Sequence, residues 1–265
     1  ATTRRATRWW GVDIGDPEEG YPAAGTRNVS ACIGSRVCPF ANADTTALAQ
    51  KLEAITYPSH HHVKIAVTGC PNDCAKTHLQ DFGIIALSLV EFNHERCIGC
   101  EACEEACRKR VTQAITMHNG RAVRDARRCI GCGECVIACP VNAWTRNPTP
   151  RFRVLVLGRT GKKNPRLAAP FLEWVTEDVV LHIVAKAYDF IEAYTDKTLR
   201  KEHLGYIVDR VGYQLFRDTL LEGMSLEPPA LVARQLHFSG YWYEPDKAFE
   251  PADHRNHPGG ASVEQ

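Results

Sequence analysis

Twelve cysteines constrain this 265-residue chain more than any other feature. They stand at positions 32, 38, 70, 74, 97, 100, 103, 107, 129, 132, 135 and 139, and none follows Cys139. Dense thiols in a short secreted chain read as a disulfide scaffold. This chain is not short, and its first residues, ATTRRATRWW, hold no apolar signal-peptide core. Clustered thiols in such a chain point to metal binding. Twelve also makes three complete sets of four, the number of thiolates that holds one cubane cluster.

Spacing sorts eight of the twelve. Cys97, Cys100, Cys103 and Cys107 follow C-x2-C-x2-C-x3-C, and Cys129, Cys132, Cys135 and Cys139 repeat it, with Pro140 after the last. The segments RCIGCEACEEAC and RCIGCGECVIACP are an internal repeat, offset by 32 residues between Cys97 and Cys129. A zinc ribbon needs only four ligands, commonly two C-x2-C pairs. Two runs of four fit two [4Fe–4S] clusters far better. In two-cluster ferredoxins the fourth cysteine of each run serves the other cluster. The expected sets are therefore Cys97, Cys100, Cys103 and Cys139, and Cys107, Cys129, Cys132 and Cys135. Gly99, Gly131 and Gly133 would let the backbone fold tightly around each cluster. Arg108 stands where a proline often follows the fourth cysteine, which removes no ligand.

Composition excludes several function classes. Lysine plus arginine (32) nearly balances aspartate plus glutamate (31), so a general nucleic-acid or membrane-surface binder is not expected. A hydrophobic fraction of 44% is ordinary for a globular protein. No apolar run approaches the roughly 20 residues of a membrane span. The chain begins with Ala, so a missing or processed N-terminus is expected.

Along the chain, 1–20 reads as irregular. Asp44 is the expected N-cap of a helix from about Thr45 to Ile55. HVKIAV (62–67) reads as a strand, GCPNDCAK as a turn into a short helix, and IIALSLVEF (84–92) as a second strand. RFRVLVLG (151–158) reads as another strand, followed by amphipathic helices at about 170–194 and 203–222. The fold class expected is α+β with α/β-like character. A main domain over 21–92 and 147–240 is interrupted by a ferredoxin-type insert at 93–146, and a loose tail covers 241–265.

The other four cysteines form C-x5-C (Cys32, Cys38) and C-x3-C (Cys70, Cys74), the latter on one face of the expected short helix. Either pair alone says little. Together with GTRNVSACIGSRVC, NADTT, YPSHHHVKIAVTGCPNDCAK, LGRTGKKNPR, FLEWVTEDV and HLGYIVDRVG, they resemble the sirohaem sulfite and nitrite reductase family from about Tyr21 to Gly212. The resemblance implies that Cys32, Cys38, Cys70 and Cys74 hold a third [4Fe–4S] cluster. It also implies that Cys74 bridges to the sirohaem iron as its axial thiolate. A third electron-transfer cluster without haem is the alternative.

Sirohaem is rich in carboxylates and the family's substrates are oxyanions, so burying them requires cations and donors. Arg27, Asn28 and Arg36 lie around the first cysteine pair. His60, His61, His62 and Lys64 precede the second pair, and Lys76 follows it. His62 and Lys64, two apart on a strand, would share a face. Arg159, Lys162 and Lys163 sit in GRTGKK, a glycine turn that can approach an anion. For each, a solvated surface charge is the alternative.

The resemblance places Arg27, His62 and Lys64 on the distal, catalytic side of the haem. Cys74, Arg36, Asn72, Lys76, Arg159, Lys162 and Lys163 are the expected cofactor-binding groups. Dissimilatory relatives carry lysine at the position of His62, whereas the anaerobic NADH-linked branch carries histidine. The resemblance further implies six-electron reduction of sulfite to sulfide in the cytoplasm. Electrons would come from NADH through a flavin-binding subunit and an iron–sulfur subunit. A sirohaem nitrite reductase and a non-catalytic iron–sulfur carrier are the alternatives. Family members carry a related preceding half, which this sequence lacks, so a fragment or a half supplied elsewhere is expected.

Overall fold

The computed structural model describes residues 29–57, 61, 63–161, 164–199 and 202–238, and the backbone of residues 8–9 and 12–13. Strands β1 (Arg8–Trp9) and β2 (Val12–Asp13) form a short antiparallel pair. Then come β3 (Val29–Ala31), α1 (Thr45–Thr56), β4 (Ile65–Thr68) and β5 (Phe82–Leu87). The cysteine-dense stretch holds β6 (Val90–Phe92), α2 (Ala102–Arg110), β7 (Ile115–His118), β8 (Arg121–Arg124), α3 (Glu134–Ala138) and β9 (Trp144–Arg146). The chain continues through β10 (Arg151–Val156), β11 (Ala169–Val175), α4 (Glu177–Tyr194), α5 (Leu204–Val211), α6 (Tyr213–Leu221) and β12 (Leu231–Val232).

One six-stranded sheet, in the order β12-β11-β10-β5-β4-β3, organises the main domain. β3, β4 and β5 are parallel, and β10, β11 and β12 add antiparallel neighbours. All six residues of β5 are buried, as suits a central strand covered on both faces. Phe82, Ile84 and Ala86 enter the main core with residues of α1, α4, α5 and α6. Ile85 and Leu87 point the other way, to a smaller cluster with Leu155, Ala168 and Trp174. α4 buries Val179, Val180, Ile183, Val184, Ala187, Phe190 and Ile191, the stripe expected of a helix lying on a sheet. Glu177 and Asp178 in its first turn complement its dipole.

The insert packs on the Leu87 face. β6 pairs with β9 and β7 with β8, while α2 lies against α3. Gly131 is wedged there with φ +70°: a Cβ would lie 2.8 Å from Cη2 of Trp174 and 3.0 Å from Cβ of Leu87. Its carbonyl accepts from the Ser88 amide at 2.8 Å. Gly131→Ala is therefore expected to cost about 2–4 kcal/mol, combining left-handed strain with overpacking. Gly120→Ala, also at φ +70° but with nothing within 4 Å, should cost only about 1–2 kcal/mol of strain. Urea unfolding of the two variants side by side checks this.

Several local expectations are corrected. Cys70 and Cys74 lie on successive turns, and the only helix nearby is a 3-10 turn at Thr77–Leu79. Pro71 lacks an amide, Asp73 and Lys76 have φ 52° and 57°, and the Asp73 carboxylate takes the Thr77 amide at 2.7 Å. The stretch 84–92 is two strands in two sheets, parting at Ser88–Leu89. The segment 170–175 is strand. Between the pairs Phe152–Val175 and Val154–Leu172, β11 carries one more residue than β10, and Trp174 bulges there with φ 60°. Gly212 (φ 97°) splits the helix expected over 203–222. Tail residues from 239 onward lie outside the described residues, as do 14–28.

Candidate metal centres

All twelve cysteines are free thiols. Cys97, Cys100, Cys103 and Cys139 line one cavity, of about 280 Å³ with its mouth included, together with Phe92, Met117 and Trp144. Cys107, Cys129, Cys132 and Cys135 line another, of about 370 Å³. These are the two crossed sets the repeat suggests, here called the first and second sets. Among the described residues, no three Cys, His, Asp or Glu side chains could hold a single metal ion. Four thiols spread around a void suit a larger inorganic core.

Polar chemistry in these cavities agrees. Backbone amides of Ala114 and Ala143 donate to Cys107 Sγ and Cys139 Sγ, each at 3.2 Å. The buried indole Nε1–H of Trp144 has no acceptor, although its proximity favours the thiolate form of Cys103. A thiolate or sulfide in that cavity would satisfy it. Burial pushes the Cys135 thiol up to about 12, helped by Cys132, Cys129 and Cys103. Burial also raises Cys132 and Cys103. Such thiols ionise when a metal's positive charge replaces their protons. By contrast, the Gly99 amide lowers Cys97, which is near solvent.

The third set is built by the sheet. β3 and β4 are parallel neighbours, so their carboxyl ends deliver Cys32 and Cys70 side by side. Cys32 continues the pairing through its amide to Val67 O at 3.0 Å. The Gly69 amide donates to Cys32 Sγ at 3.1 Å, and a Cβ on Gly69 would strike Ala41 Cβ at 2.6 Å. Burial alone would raise Cys32, but hydrogen bonding with the Gly69 and Gly34 amides and the Thr68 and Thr45 side chains brings its thiol below the ordinary value. α1 begins at the same end, with Asp44 capping the amides of Thr46 and Ala47 at 3.1 Å. Burial raises Cys70, with Cys74, Cys38 and Cys32 adding to the effect, so the four thiols lie within electrostatic reach. Cys38, Cys70 and Cys74 line a larger cavity, of about 1030 Å³ with its open mouth, alongside Phe40, Pro71 and Asn72. Cys74 alone of the four is exposed. Asn72 Nδ2 donates to its sulfur at 3.3 Å.

The basic residues are distributed less simply. Arg36 pairs with Asp44 at 2.7 Å and so staples the Cys32–Cys38 loop to the start of α1. Lys76 is exposed beside the Cys74 turn. Lys64 sits at the opposite end of β4 from Cys70, lining a small pocket with Asp81, Arg159, Thr160 and His203. Arg159 is buried, with Nη1 on Asp209 Oδ2 at 3.0 Å and its guanidinium 4.3 Å from the Tyr206 ring centre. His61 pairs with Glu192 at 3.0 Å. Arg27, Asn28, His60, His62, Lys162 and Lys163 lie outside the described residues. Sequence reading did not single out Trp144 or Asp209. An aromatic five residues past Cys139 was the one signal for Trp144, and nothing pointed to Asp209.

A parallel-strand edge with four thiols, joined to a double-repeat insert with eight, defines a class. Residues 23–227 match the nitrite and sulphite reductase 4Fe-4S domain, and the chain belongs to that family. Among its relatives is a subunit of the anaerobic sulfite reductase of Salmonella typhimurium, 42% identical over 247 residues, covering 92% of this chain and 72% of that protein. The coenzyme F420-dependent sulfite reductase of Methanocaldococcus jannaschii is 31% identical over 205 residues, 76% of this chain and 32% of that protein. In fold the chain resembles the crystal structure of dissimilatory sulfite reductase I, with TM-score 0.59 and 20% identity. That likeness covers 91% of this chain, which spans 60% of the other. No helix among the described residues is long and apolar enough to cross a membrane.

Proposed function

We propose that this chain is the catalytic subunit of a sulfite reductase, converting sulfite to sulfide by six-electron reduction. One observation carries the reading. Four thiols gather at the carboxyl ends of β3 and β4, and one of them, Cys74, is exposed at a cavity large enough for a cofactor. In this reading Cys32, Cys38, Cys70 and Cys74 would hold a [4Fe–4S] cluster, and Cys74 would also help to hold a sirohaem. The first and second sets hold two further clusters. When bound, these groups supply single-electron transfer and the iron at which sulfite is reduced.

The chain's own residues do the rest. Asn72 donates to the Cys74 sulfur, and the Asp73 carboxylate braces the turn that follows by accepting from the Thr77 amide. Lys64, at the opposite end of β4 from Cys70, does not face the third set, so no charge on substrate or haem is assigned to it. Arg27 and His62 are proposed for substrate charge and proton delivery, because imidazole titrates near neutral pH. Lys76, Lys162 and Lys163 are proposed around the cofactor, whereas Arg36 is held on Asp44 and Arg159 on Asp209 at the far end of the sheet. The named sulfite reductases among the relatives favour sulfite over nitrite. The Salmonella relative is one subunit of its enzyme, which supports a multi-subunit complex; an iron–sulfur subunit and a flavin/NADH-binding subunit are proposed as the partners. A reducing cytoplasm suits twelve free thiols.

The test is anaerobic purification of the natural protein with its partner subunits. Visible spectra come first, then parallel sulfide and ammonia assays with a chemical reductant. Haem bands with sulfide from sulfite are expected. Iron–sulfur absorbance without haem bands would reduce the protein to an electron carrier. Faster ammonia formation from nitrite would make it a nitrite reductase.

A further inference from the structure

The large cavity beside the third set has a wall that belongs to something else. Val111, Ile130, Cys132 and Glu134 line it, and the same four residues line the cavity of the second set. No residue lining the first set's cavity does so. The second set is also clamped to the third set's own loop. Asn42, four residues after Cys38, donates through Nδ2 to Gly131 O at 3.4 Å, and a Cβ on Gly133 would lie 2.9 Å from its Oδ1. The first set lies outward: Cys100 is exposed and Ile98 is 64% exposed. Its Cys103 still bears on Cys135 of the second set, so the two sets are neighbours.

We infer that electrons pass through this chain in one order, from the first set to the second and from the second across the Val111–Ile130–Cys132–Glu134 wall to the third. The inference rests on the cluster assignment proposed above. Each step moves one electron. The centre on the third set is reduced as that on the second is oxidised, and the first set refills the second. An external one-electron donor, a reduced flavin or iron–sulfur protein, refills the first. Six passages serve one sulfite. No bond changes in the relay, so the wall has only to hold the second and third sets close together.

The test is low-temperature paramagnetic resonance on the anaerobic holoprotein, reduced stepwise with dithionite. Cys100→Ser and Cys129→Ser identify the first-set and second-set signals by their loss. Magnetic broadening of the third-set signal should persist in Cys100→Ser and disappear in Cys129→Ser. Loss in Cys100→Ser, or persistence in Cys129→Ser, would overturn the order. Where a variant fails to assemble its remaining centres, the native protein decides. A soluble dysprosium chelate should then relax one ferredoxin signal more strongly, and that signal should be the one not coupled to the third set. The opposite pairing overturns the order as well. Iron content separates the two levels: fewer than three clusters per chain defeats the functional reading, whereas three clusters with reversed coupling defeats only the relay.

Discussion

Replacing Cys74 with serine is expected to lower sulfide formation by more than about a hundredfold and to abolish haem absorbance, with the first and second sets still loaded. Loss of an outer-shell partner of a metal ligand already costs about 10–100-fold, so loss of the ligand itself should cost more. The damage should stay local. Cys74 is exposed and sits on a turn held by Asp73, which binds the Thr77 amide at 2.7 Å and His78 Nδ1 at 2.8 Å. The first and second sets are packed around a separate core that includes Val90, Ile115 and Trp144. Asn72→Ala is the graded companion. It keeps the sulfur and removes the 3.3 Å donor, so a loss of about tenfold is expected. Activity, iron per chain and haem spectrum are read together on each variant. Unchanged haem binding and sulfide output in Cys74→Ser would remove the bridging role from that residue.

The cysteine sets were legible in the sequence because their chemistry depends on short spacing. Three thiols within seven residues can reach one cavity whatever the wider fold does, and the fourth thiol of each run lines the other run's cavity, whereas the third grouping was legible only through the family resemblance. The helix after Asp44 was legible for a similar reason, since cap and apolar period agree locally. Legibility fails where long-range packing decides. PFLEWV lies ahead of a strongly amphipathic helix and shares its apolar period, yet it pairs with β10 and bulges at Trp174. IIALSLVEF looks continuous, yet Ser88 gives its amide to Gly131, and the chain leaves one sheet for another. The basic residues were hardest to read. Nothing near Arg36 in sequence distinguishes a staple on Asp44 from a cofactor ligand. Lys64, grouped with the second cysteine pair by sequence, faces the far end of β4.

That far end carries the other large expected effect. Asp209→Ala should destabilise the protein by about 3–5 kcal/mol, because one carboxylate serves two buried guanidiniums. Arg159 reaches Oδ2 at 3.0 Å and Arg166 reaches Oδ1 at 2.7 Å, with only 3% and 1% of their side chains exposed. Arg166 also donates to Leu157 O at 2.9 Å and Gly205 O at 3.1 Å, and it stacks 4.2 Å from the Phe238 ring centre. Burial lowers its proton affinity, opposed by Asp209. Without the carboxylate both charges stay buried and repel each other. Asp209 itself is 38% exposed, so water can enter and the loss should fall toward the lower limit. Asp209→Asn keeps an acceptor and should cost less. The double replacement of Arg159 and Arg166 by methionine removes both buried charges and leaves the 38% exposed Asp209 to water, and should cost less than Asp209→Ala alone. Urea unfolding followed by far-ultraviolet circular dichroism, at matched metal content, ranks the three. A loss below about 1 kcal/mol in Asp209→Ala would show water already neutralising the pair.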